Sequence, residues 1–208
     1  MNYDKFRLEV QNSPFILTKD IIKKYPDHQN LRNQINRWNK KGLLSRLRKG
    51  MYVLNKGDIK VDIDKCLIAN YIYEPSYISM EYALNFYGLI PERVVDITSI
   101  TTRKTKTFVN DLGSFTYQHI KTNAFRGFIS VENGAFSFFI AEPEKAIVDF
   151  LYLNLSKFSE EECKEIIESY RFQNLDELDC EKLMKFGGLF SNKKLMHIIA
   201  KFCELIEE

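Results

Sequence analysis

Between Leu31 and Leu54 the chain reads LRNQINRWNKKGLLSRLRKGMYVL, and the spacing of its apolar positions changes midway. At about 100° per residue, Leu31, Ile35 and Trp38 share one narrow arc, which predicts a helix from Leu31 to Lys41 with that arc against a core. Asn33, Asn36, Arg37 and Lys40 fan around the opposite side, with Arg32 on its flank. Gly42 is placed to end the helix in the left-handed conformation. The pattern then becomes extended: a strand from Leu43 to Leu47, a tight Arg48-Lys49-Gly50 tip and a return strand from Met51 to Leu54. Upstream, Thr18 is expected to cap a short helix from Lys19 to Tyr25 with Ile21 and Ile22 inward. Pro26-Asp27 closes that helix, Asp27 or Asn30 is available to cap the next, and Asp4 to Val10 supplies a first helix. Three helices followed by a hairpin is the order of a winged helix-turn-helix, predicted here for residues 1–57.

After Asn55-Lys56-Gly57, read as a linker, residues 58–208 change character. Asp62 to Tyr71 reads as a helix with Cys66, Leu67 and Ala69 inward, broken by Glu74-Pro75. Tyr77 to Ser79 is extended, Ser79 is placed to cap a helix from Met80 to Tyr87, and Gly88 to stop it. Strands are then predicted at Arg93 to Thr101, Thr107 to Val109, Ser114 to Ile120 and Gly127 to Val131. Asn133-Gly134 between two aromatic-rich runs is a hairpin signal, and its apolar return strand, Ala135 to Ile140, belongs in the middle of a sheet. Pro143 suits a first helical turn, with Ala146, Ile147, Phe150 and Leu151 as the apolar stripe and Asp149 away from it. Ser159 and Glu162 match a capping box before a helix from Cys163 to Tyr170. Further helices run from Asp179 to Phe186 and, beyond a Gly187-Gly188 break, from Ser191 through Leu205. The expected class is α+β: a winged helix-turn-helix, then an α+β domain with a mostly antiparallel sheet and a helical C-terminal end.

Charge sharpens this division. Residues 1–60 hold 14 Lys and Arg against 5 Asp and Glu, so the overall net charge of +2 conceals a strongly basic head on an acidic remainder. A basic head is steered toward a polyanion in a salt-dependent way. Asn pairs bidentately with adenine, Arg with guanine, and Lys meets phosphate as a mobile charge. The candidate DNA-binding residues are therefore Arg32, Asn33, Asn36, Arg37 and Lys40 on the helix and Arg46, Arg48 and Lys49 on the wing. A head of this size reads few base pairs, so specificity calls for paired half-sites and two protomers on the DNA.

Other chemistry is sparse. The cysteines (Cys66, Cys163, Cys180, Cys203) form no CxxC, and His28, His119 and His197 share no ligand spacing, so no metal, cofactor or disulfide is expected. Glu142 and Glu144 are accounted for by the helix start, and no nucleophile with a matched base stands out, so an enzyme is not expected. Short apolar runs and a mixed-charge N-terminus point to a cytoplasmic protein without signal peptide or membrane contact. The alternating Thr101 to Thr107 segment (TTRKTKT) reads either as an extension of a phosphate-binding surface or as a solvated edge. Among eleven Tyr and sixteen Phe, Tyr82, Phe86 and Tyr87 are the candidates for exposed aromatics.

Four segments carry a resemblance: RLRKGMYVL at Arg46 to Leu54, YISMEYALNFYGLIPE at Tyr77 to Glu92, DITSITTRKTKTF at Asp96 to Phe108, and AEPEKAIVDFLYL at Ala141 to Leu153. In this order, over about residues 1–155, the chain resembles the AbiEi family, the antitoxin and regulator half of bacterial AbiE abortive-infection toxin–antitoxin systems. The resemblance implies a winged helix that binds inverted repeats in its own promoter and represses the operon. It further implies a C-terminal domain that opposes a nucleotidyltransferase-like toxin encoded nearby, and no catalytic residue. A stand-alone regulator without a toxin is the alternative reading.

Overall fold

The computed structural model describes residues 1–25, 28–157 and 168–207. Helix α1 (Tyr3–Val10) starts at Asn2, whose side-chain oxygen accepts from the Lys5 amide. Strand β1 (Ile16–Leu17) leads directly into α2 (Thr18–Lys24). Thr18 is the first helical residue and not its cap; its amide is engaged with the carbonyl of Gly50. Helix α3 (His28–Lys40) begins earlier than its apolar arc, so Asn30 lies inside it, while Asp27 falls outside the described residues. Gly42 ends α3 at φ +72°, with its amide on the Asn39 carbonyl and that of Leu43 on the Trp38 carbonyl. That pair of bonds satisfies two of the carbonyls a helix end leaves open.

Strands β2 (Leu44–Arg48) and β3 (Met51–Leu54) form the hairpin, and β1 completes an antiparallel sheet in the order β1-β3-β2. The register pairs Arg46 with Tyr52 and then Arg48 with Met51, so Leu47 is an extra residue in a bulge. Side chains alternate along a strand, and one extra residue moves everything beyond it to the opposite face. Arg48 thus shares the face of Met51, not that of Arg46. The two faces of the hairpin also belong to different cores. Leu44, Tyr52 and Leu54 pack with Phe6, Ile35 and Trp38, whereas Leu47, Met51 and Val53 join the core of the second unit.

The segment after the hairpin is held to the N-terminal unit. The Lys60 amide bonds to the Gln11 carbonyl, and the Asp58 carboxylate accepts from the Tyr3 hydroxyl (2.7 Å) and the Arg7 guanidinium (3.0 Å). Helix α4 (Lys65–Ile72) starts later than expected because Asp64 caps it, accepting from the Cys66 and Leu67 amides.

A six-stranded sheet follows, made of β4 (Ser76–Ile78), β5 (Ile97–Thr101), β6 (Lys106–Asn110), β7 (Gly113–His119), β8 (Phe128–Asn133) and β9 (Phe136–Ala141). Its order is β6-β7-β5-β4-β9-β8, with β5/β7 and β4/β9 parallel and the other neighbours antiparallel, so the larger sheet is mixed. The parallel β5/β7 ladder has a simple cause. Of the β6–β7 pair, only β7 carries fully buried aromatics, Phe115 and Tyr117, so β7 docks inward and the Lys- and Thr-bearing β6 is left as the edge. The β8–β9 turn is centred one residue later than Asn133-Gly134: Asn133 pairs with Phe136, leaving Gly134 (φ +61°) and Ala135 as the loop.

Helices cover both faces of this sheet. Tyr117 donates to the Ala69 carbonyl of α4, while Tyr77, one register position out of phase with it, points to α6 (Pro143–Leu153). Helix α5 (Met80–Phe86) ends at Gly88, φ +68°. The C-terminal end is helical: α7 (Cys180–Gly188), capped by Asp179, and α8 (Lys193–Glu207), capped by Asn192. Gly187 and Gly188 close α7 instead of standing between helices, and Ser191 precedes the α8 cap. The expected capping box at Ser159 and Glu162 lies outside the described residues. The described chain is thus α+β with a helical C-terminal region, and no described helix is long and apolar enough to cross a membrane.

Candidate nucleic-acid interface

Helix α3 is positioned by its apolar side. Leu31, Ile35 and Trp38 are buried, and the Trp38 ring meets Phe6 at 4.8 Å and Tyr3 at 5.5 Å between centroids. Tyr3 is fixed in turn by Asp58, whose carboxyl is held below its ordinary pKa by the Tyr3 hydrogen bond and by Arg7. Burial and Asp58 together raise the Tyr3 phenol, so its proton stays in place. With three side chains anchored on one side, the opposite side of α3 is fixed in direction: Arg32, Asn33, Asn36, Arg37 and Lys40 are all exposed.

A hollow of about 670 Å³ opens between α2, α3 and the hairpin. Arg32 and Asn36 line it from α3, and Arg46 and Lys49 from the hairpin. Lys19, on the first turn of α2, joins them. The spacing within α2 gives no sign of this; the Thr18–Gly50 backbone bond brings Lys19 to the hairpin tip. Asn33, Arg37 and Lys40 share the exposed side of α3 but do not line the hollow.

Arg48 is oriented differently from the other basic residues of the hairpin. Beyond the Leu47 bulge its guanidinium donates to the Lys49 carbonyl (3.0 Å) and toward the Tyr71 carbonyl at the end of α4 (3.4 Å). It fastens the hairpin tip to the second unit. Two further bonds do the same: Ser45 to the Asp111 carboxylate (2.6 Å) and Asn110 to the Leu47 carbonyl (3.3 Å).

The Thr101 to Thr107 segment divides in the structure. Thr101 is buried, its hydroxyl on the Pro75 carbonyl, whereas Arg103 and Lys104 are exposed just before the edge strand β6 and Lys106 is exposed at its first position. Of the three aromatics near α5, only Phe86 is exposed. Tyr87 donates to the Ala141 carbonyl, and Tyr82 is bonded to Cys66, whose thiol is pushed up to about 11 by burial.

One polar cluster is buried without any sign of it in the sequence. Asp149 lies off the apolar stripe yet is not solvated: Tyr77, Ser79, Lys145 and Asp149 are all 0% exposed. Asp149 pairs with Lys145 one helical turn away and accepts from the Tyr77 and Ser79 hydroxyls, both at 2.9 Å. Burial pushes the Lys145 ammonium down and the Asp149 carboxyl up. Residues of these types resemble a catalytic set, but sealed from solvent they serve to tie α6 to the β4–α5 junction. Ser79 stands at the α5 cap position as expected, yet its hydroxyl serves Asp149 and not the helix. Among the described residues no three His, Cys, Asp or Glu side chains gather into a metal-binding group.

Compared with models of known protein families and with curated protein sequences, the chain matches none.

Proposed function

We propose that the N-terminal unit is a winged helix-turn-helix that binds double-stranded DNA, with α3 in the major groove and the β2–β3 hairpin as the wing. The observation that carries this reading is the hollow lined by Arg32 and Asn36 from the helix and by Arg46 and Lys49 from the hairpin. It gathers base-pairing donors and phosphate-binding cations on a rigidly anchored surface. Asn33, Asn36 and Arg37 meet base edges, while Arg46, Lys49 and Lys40 fix the register on phosphates. Arg48 acts at one remove, by holding the hairpin tip.

We further propose, on the resemblance to AbiEi proteins, that the chain represses its own operon through inverted repeats bound by two protomers. In that reading the second unit makes it the antitoxin to a nucleotidyltransferase-like toxin. The test is binding of the purified chain to its own upstream promoter and to a scrambled duplex of equal length, at two salt concentrations. Preference for the promoter is expected, with affinity falling as salt rises. Equal affinity for both duplexes overturns the repressor reading.

A further inference from the structure

The hollow at α3 does not end at the hairpin. Lys49 also lines an adjoining hollow of about 280 Å³, whose other basic walls are Arg48, Arg103 and Lys106. Arg103 and Tyr73 then continue into a third hollow of about 650 Å³, where Lys104, Thr105 and His119 join them. One basic path therefore runs from the helix face, past the hairpin tip, onto the edge of the second unit.

The side chains along this path are set in place. The Arg103 guanidinium lies over the Tyr73 ring, 4.2 Å from its centroid, and donates to the Glu74 carbonyl at 3.1 Å. The Lys106 ammonium sits 4.8 Å from the Phe108 ring centroid. Stacking on aromatics orders long cationic side chains without neutralising them. None of Lys49, Arg103, Lys104 and Lys106 is ion-paired with a described carboxylate. Glu74 is the one acidic residue lining the middle hollow, and it engages Arg103 through its backbone carbonyl. Arg48 fixes the geometry from beneath, holding the tip and the second unit together.

We propose that Arg103 and Lys106 form a second contact to the sugar-phosphate backbone, outside the base pairs read by α3. This rests on the DNA-binding reading of the N-terminal unit. Ordered cations without base-reading amides suit phosphate, and they lie beside the hairpin tip where duplex leaving the major-groove site would pass. The second unit then belongs to the DNA-binding surface, adding affinity and orientation but no sequence preference.

The experiment uses the full chain and fluorescence anisotropy, with a long promoter duplex and one trimmed to the half-site. Arg103→Ala/Lys106→Ala is expected to lower affinity for the long duplex only and to keep the preference for promoter over scrambled DNA. Losing two phosphate contacts reduces the slope of log K against log salt by about 1.8, so raising salt from 50 to 200 mM costs the variant roughly twelve-fold less than wild type. Arg103→Lys/Lys106→Arg, which keeps both charges, is expected to retain the wild-type slope, and thermal melting checks that each variant is folded. Unchanged affinity and slope for the folded alanine variant on the long duplex overturn the second contact and leave the N-terminal reading intact. No binding of wild type to any duplex overturns both.

Discussion

Asp149→Ala is the sharpest perturbation the fold offers. The substitution leaves the Lys145 ammonium buried without a counter-charge and takes the acceptor from two buried hydroxyls, Tyr77 and Ser79. Breaking a buried pair from one side costs about 3–5 kcal/mol, and each orphaned hydroxyl about 1–3 kcal/mol. These costs overlap, because burial already lowers the Lys145 pKa and the ammonium can shed its proton. The expected loss is therefore about 3–5 kcal/mol, or roughly 6–20 °C in Tm for a chain of this size. Lys145→Met is expected to cost less: Asp149 keeps both hydroxyl donors, and its raised pKa lets it turn neutral. Lys145→Met/Asp149→Leu removes both charges, and apolar replacement of a buried pair is often neutral. It should melt above Asp149→Ala. Urea titration and thermal melting followed by far-ultraviolet circular dichroism measure all three. A loss under about 1 kcal/mol for Asp149→Ala, or a double variant that melts no higher than Asp149→Ala, would refute the cluster as a coupled unit.

On DNA, Arg37→Ala should reduce the preference for promoter over scrambled duplex by about 1–3 kcal/mol, whereas Lys49→Ala should weaken both alike and lower the salt slope by about 1; an equal loss on both duplexes for Arg37→Ala removes it as a base reader. Asp58 has a depressed pKa in the fold, so its stabilisation is complete above about pH 4 and lost as pH falls through the depressed value. Asp58→Asn should accordingly melt below wild type at pH 7, with the gap closing in acid; a gap that is constant with pH contradicts the linkage. Gly127→Ala meets both a positive φ (+79°) and a Cβ contact at 2.6 Å with the Phe186 ring, whereas Gly42→Ala meets only its φ of +72°. Losses of about 2–4 and 1 kcal/mol are expected in thermal melts, and equal losses would remove the steric argument.

Local signals carried far into this fold. The Leu31, Ile35 and Trp38 arc, the left-handed glycines at 42 and 88 and the limits of β3 were all legible, because each is decided by a few neighbouring residues. What was not legible is decided by distant partners. Arg48 reads as one more wing cation until the Leu47 bulge turns it over, and nothing in RLRKG announces a bulge. Asp149 reads only as lying off the apolar stripe of α6, and its burial with Lys145 is not legible because a helix wrapped on all sides hides its polar residues only in the presence of its neighbours. The parallel docking of β7 on β5 depends on which strand of a hairpin faces inward, a comparison that local periodicity does not make. Lys19 enters the basic hollow only through the pairing of Thr18 with Gly50.

The β2–β3 hairpin is a wall shared by two rooms. Since Leu44, Tyr52 and Leu54 face one core and Leu47, Met51 and Val53 the other, neither unit closes without it. A fragment cut after Gly57 would carry an uncovered apolar face of three side chains, and the remainder would lack part of its own enclosure. Lys60 bonded to Gln11 and Arg48 directed to Tyr71 tie the junction from both sides of the hairpin. A torque applied to α3 would turn the six-stranded sheet with it, so the molecule should unfold, and respond to load, as one piece.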